Sequence, residues 1–66
     1  MNITVNGKPM EVPDGLSVDG LLEHLRVIRQ YTAVALNREV ASKSTYASTF
    51  LSDGDRVEIV RPMGGG

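Results

Sequence analysis

Residues 18 to 28 carry apolar side chains at helical spacing: Val18, Leu21, Leu22, Leu25 and Ile28 fall at i, i+3, i+4, i+7 and i+10, whereas the runs on either side are strand-like. A chain with one helical stripe and several short strands buries both in one core only if the helix lies across a face of a sheet. With 66 residues the chain holds a single domain, and without cysteine its stability comes from packing alone. The stripe predicts a helix capped by Ser17 and ending near Arg29, with Asp19 in its first turn and Arg26 and Arg29 near its last carbonyls. Leu16 is placed to pack on Leu21 as a hydrophobic staple, and Gly20 weakens the helix by up to about 1 kcal/mol.

Before the stripe, Asn2-Ile3-Thr4-Val5 and Met10-Glu11-Val12 alternate on either side of Asn6-Gly7-Lys8-Pro9. Asn-Gly tolerates positive φ at both positions, so this reads as a hairpin with Ile3, Val5, Met10 and Val12 on one face. Pro13-Asp14-Gly15 is a turn. After the stripe, Ala33-Val34-Ala35-Leu36 and Glu39-Val40-Ala41 predict a second hairpin. Residues 42 to 48 read as irregular, with Tyr46, Phe50 and Leu51 beneath them as a minor core cluster, and Tyr31 and Tyr46 at the core edge with wet hydroxyls. Asp53-Gly54-Asp55 is a tight turn, and Arg56-Val57-Glu58-Ile59-Val60 is the clearest strand, ended by Pro62. The order predicts an α+β domain over 1–63: one helix on a mixed four- to five-stranded sheet, its first and last strands side by side in the middle. A glycine tail, 64–66, follows.

Seven basic and eight acidic residues give a net charge of -1. That leaves no long-range positive field for nucleic acid or anionic lipid. No run approaches the roughly 20 apolar residues that span a bilayer, and the N-terminus has no leader-like pattern, so the expected location is the cytoplasm. His24 has no second histidine and no cysteine to join it, and reads as a solvated helix-surface residue. Asp53-Gly54-Asp55 lacks the further ligands of a calcium loop. The domain is therefore expected to hold no catalytic residue, no metal and no bound cofactor.

The candidate chemistry lies at Met63-Gly64-Gly65-Gly66. Glycine has the largest ordering entropy and buries nothing, so a terminal run of it adds nothing to the fold. A strip without Cβ atoms can instead thread a narrow channel in a partner, which makes Gly64, Gly65 and Gly66 the threading segment. The Gly66 carboxylate, ionised at pH 7, is the group able to attack the α-phosphate of ATP. If Val57 and Ile59 point inward, Val60 points outward near Met63, and the two form a candidate docking patch beside Arg61.

Several segments together resemble the ThiS family of sulfur carriers, ubiquitin-like β-grasp proteins of thiamine biosynthesis. They are Asn2 to Gly7, the Leu16-Ser17-Val18 entry into Leu21-Leu22, Val34 to Val40, Leu51 to Val60 and the terminal diglycine. The resemblance covers the whole chain. It implies that an E1-like adenylating enzyme (ThiF-like) adenylates Gly66, that sulfur from a donor converts it to a thiocarboxylate, and that thiazole synthase (ThiG-like) accepts the sulfur. Gly65 matches the family's penultimate glycine. The chain would then be a protein co-substrate and not an enzyme, monomeric when free, with ATP and the sulfur donor used by its partner. Carriers for molybdopterin or amino-acid sulfur transfer and protein modifiers share this plan. A TGS-type binding module shares the Asn-Arg-Glu-Val and Asp-Gly-Asp-x-Val-Glu-Ile style of strands, but needs no terminal diglycine. Many family relatives carry a proline where this chain has Ala41-Ser42-Lys43-Ser44.

Overall fold

In the computed structural model, which describes residues 1–60, Asn6 and Gly7 adopt φ of 50° and 82°. Both central positions of the turn are thus left-handed, as a two-residue hairpin requires. The turn joins β1 (Asn2–Val5) to β2 (Lys8–Glu11), paired Ile3 to Met10 and Val5 to Lys8. Strand β2 starts within the stretch read as a turn and includes Pro9. That is tolerated because β2 is an edge strand, where a missing N–H leaves no neighbour unpaired.

Helix α1 spans Val18–His24, and the Ser17 hydroxyl accepts from the Gly20 N–H at 3.0 Å, as its capping role predicts. The helix ends well short of Arg29. Arg26 turns left-handed with φ of 59°, its N–H donates to Glu23 O at 3.0 Å, and the Val27 N–H donates to Leu22 O at 2.9 Å. This pair of backward bonds is a Schellman stop. Ile28 consequently leaves the apolar stripe and is 64% exposed, instead of completing the helix's buried face. Arg29 does not cap α1 either; it opens a short 3-10 turn, Arg29–Tyr31, and its guanidinium reaches Asp19 Oδ1 at 3.3 Å.

The second hairpin joins β3 (Ala33–Leu36) to β4 (Glu39–Val40) across Asn37 and Arg38, and Lys43–Ser48 forms a 3-10 helix in the region read as irregular. Strand β5 (Arg56–Val60) completes a five-stranded sheet ordered β2-β1-β5-β3-β4. Strands β1 and β5 are parallel and the other pairs antiparallel, so the first and last strands do lie side by side, with β5 in the centre. Val18, Leu21 and Leu22 of α1 cover one face, against Ile3, Val5, Val34 and Val57; Val12, Tyr46 and Leu51 complete the core.

Two aromatic residues depart from expectation. Phe50 is 61% exposed. Its neighbours are held by Val18 N–H to Thr49 O and Leu51 N–H to Leu16 O, and side-chain alternation about this bridge turns Leu51 inward and Phe50 out. Tyr46 is 1% exposed and its hydroxyl, expected to be wet, is buried without a partner. The Arg29 guanidinium lies 5.9 Å from its ring centroid.

Candidate functional site

Strand β5 carries the chain toward residue 61 from the middle of the sheet, and its side chains divide between two faces. Val57 pairs with Leu36 and Ile59 with Val34 on the helix side, while Glu58 pairs with Ala35 and Val60 with Ala33 on the other. Val57 is fully buried and Val60 is 61% exposed, so the alternation read from the sequence holds. The remaining predicted site residues, Arg61, Met63, Gly64, Gly65 and Gly66, lie outside the described residues.

Val60 is not alone on its face. The register brings Val40 opposite Ala35, and Val40 is 82% exposed. Ala33, Ala35, Val40 and Val60 therefore form an apolar strip on the uncovered side, at the end of β5 where the chain leaves the sheet. Sequence reasoning found Val60 because its strand alternates clearly. It did not find Val40, because a two-residue edge strand carries no alternation from which to read a face.

Two asparagines hold β5 from either side. Asn6 Oδ1 accepts from the Ile59 N–H at 2.8 Å and its Nδ2 donates to Ile59 O at 3.3 Å. Across the strand, Asn37 Oδ1 accepts from the Arg56 N–H at 2.9 Å and its Nδ2 donates to Asp55 Oδ1 at 3.1 Å. These side chains continue the ladder where the neighbouring strands turn away, so the backbone groups of β5 stay paired.

The end of the uncovered face remote from Val60 is polar. Two adjoining shallow depressions open there, one lined by Asn37, Arg38, Gly54 and Arg56, the other by Thr4, Asn6, Gly7, Arg38, Arg56 and Glu58. A further depression, lined by Arg26, Ile28, Tyr31 and Thr32, sits between the end of α1 and the start of β3. His24 is exposed. Among the described residues no three His, Asp or Glu side chains gather as a metal would require, and no helix is long and apolar enough to cross a membrane.

Comparison with known proteins matches this arrangement throughout. The ThiS structure from Geobacter metallireducens is 45% identical, with a TM-score of 0.88 and complete coverage of both chains. The sulfur carrier protein ThiS of Escherichia coli is 29% identical over 66 residues, again the whole of both chains. Thiazole synthases of Paramagnetospirillum magneticum and Magnetococcus marinus are 38% and 36% identical over all 66 residues of this chain, which spans 20% of the length of each. The sequence profile of the ThiS family matches residues 3–66. A mixed five-stranded β-grasp sheet on one helix, matched in sequence along almost its entire length, establishes that the chain belongs to the ThiS family.

Proposed function

We propose that the chain is a sulfur carrier of thiamine biosynthesis and that the Gly66 carboxylate is its working group. The observation that carries this reading is the end-to-end match to ThiS proteins, which takes in the terminal glycines as well as the folded body. Residues 1–63 act as the handle and Gly64, Gly65 and Gly66 as the threading tail. An oxygen of the Gly66 carboxylate attacks the α-phosphorus of ATP in an E1-like enzyme, pyrophosphate leaves, and an acyl-adenylate forms. A hydrosulfide-equivalent nucleophile from a donor then displaces AMP and leaves a thiocarboxylate. ATP and donor belong to the partner's site, so this chain turns over nothing itself; it is a co-substrate, monomeric when free and working in the cytoplasm.

Thiazole synthase is the proposed acceptor, and relatives of that name containing a segment like this chain favour thiamine synthesis over the other sulfur pathways. The apolar strip of Ala33, Ala35, Val40 and Val60 supports a docking role for this face, which Arg61 and Met63 would extend. Incubated with ATP, a ThiF-like enzyme and a sulfur source, the chain is expected to gain the mass difference of sulfur for oxygen at Gly66 by intact mass spectrometry. No gain would overturn the reading. Deleting Gly66 is expected to abolish the gain yet leave the thermal midpoint unchanged, because the core closes within residues 3 to 57.

A further inference from the structure

The two hairpin turns have the same geometry but differ at their second position. Asn6 and Gly7 take φ of 50° and 82°, and Asn37 and Arg38 take 51° and 72°. In both, the asparagine does the structural work by clamping β5. Glycine then occupies the first turn without strain, whereas a Cβ in the left-handed region crowds the backbone, so Arg38 is held where glycine would be relaxed. The turn itself has no use for a side chain there, and strain kept without a structural return points to a role for that side chain.

Its surroundings indicate the role. Arg38 and Arg56 line both polar depressions of the uncovered face. Both residues are exposed, and among the described residues neither guanidinium makes an ion pair or a hydrogen bond. Arg56 shares a face and strand with Val60, four residues or roughly 13 Å along it. The uncovered face therefore has an apolar end beside the tail and a basic end behind it. A planar guanidinium offers paired donors that match a carboxylate. Glu58 borders the same depression, which opposes a polyphosphate backbone but suits a protein surface of mixed charge.

We propose that Arg38 and Arg56 form an acid-recognition site that docks carboxylate side chains of the adenylating enzyme and so sets the carrier's orientation as its tail enters. This rests on the sulfur-carrier reading above. The test is ATP–pyrophosphate exchange by a ThiF-like enzyme with the full chain as varied substrate, at low and high salt. Arg38→Gly relaxes the turn and is expected to fold at least as well, yet to raise KM about tenfold with kcat kept. Arg38→Glu with Arg56→Glu is expected to raise KM about a hundredfold, and both variants to lose most of the salt dependence of KM shown by the unsubstituted chain.

Values of KM and salt dependence within twofold of the unsubstituted chain in both variants would overturn the docking site while leaving the carrier reading intact. So would loss of binding to inorganic phosphate or to a single-stranded RNA oligonucleotide with KM unchanged, because the arginines would then serve an anion and not the enzyme. If the unsubstituted chain supports no exchange at all, the carrier reading fails and the docking role fails with it.

Discussion

Arg26 ends the helix at a position where its side chain is a disadvantage. At φ of 59° it occupies the C′ site of a Schellman stop, the site most often filled by glycine. Arg26→Gly is expected to stabilise the domain by about 0.5–1 kcal/mol, raising the thermal midpoint by about 2–8 °C in calorimetry. A fall in the midpoint would mean that Arg26 contributes contacts that outweigh its backbone strain. The same residue explains why the helix boundary was not legible. The apolar spacing from Leu25 to Ile28 continues the helical pattern, and an arginine in the last turn reads as a favourable charge, not as a stop. Only the two backward bonds from Arg26 and Val27 separate these readings. Tyr46 was misread for a related reason: its hydroxyl argued for water, but the 3-10 helix that carries it packs the ring wholly inside.

Helix α1 has only seven residues, with a glycine at its third position. Composition alone recommends Gly20→Ala, which adds up to about 1 kcal/mol of helix propensity. Packing opposes it, because a Cβ at Gly20 would meet Leu16 Cδ1 at 3.1 Å and Ser17 Oγ at 3.4 Å, in the staple and cap that start the helix. The two effects nearly cancel, so urea unfolding is expected to place Gly20→Ala within about 0.5 kcal/mol of the unsubstituted chain. A gain near the full propensity value would show that Leu16 moves aside without loss. At this scale most of the architecture was legible: both hairpins, the Ser17 cap and β5 follow from Asn-Gly, from apolar period and from charge alternation. The candidate site was legible only where it coincides with those signals. Val60 faces outward because its strand alternates, but Val40 and Ala33 join it only through pairing between distant strands, and Arg38 sits in a turn whose Asn-Arg pair lacks the glycine that marks such turns.

Across the whole molecule the chain closes on itself through β5, which separates the hairpin of β1 and β2 from that of β3 and β4. Thr4 N–H to Asp55 O and Asn6 N–H to Val57 O, both 2.9 Å, join the two halves. Opening the centre therefore requires losing the core over Val57, whereas β2 and β4 can fray at the edges. Hydrogen exchange followed by NMR is expected to find the slowest amides at Thr4, Asn6 and the inward positions of β3 and β5, and markedly faster exchange in β4. Equal protection at Val40 and Val57 would show that the sheet opens only as one unit.

Because β1 and β5 run in the same direction, a mechanical pull on Met1 and Val60 in opposite senses loads their shared bonds together, in shear and not one after another. A machine hauling on the end of this chain would be tugging at the best-anchored strand, with the Asn6 and Asn37 clamps resisting on both flanks.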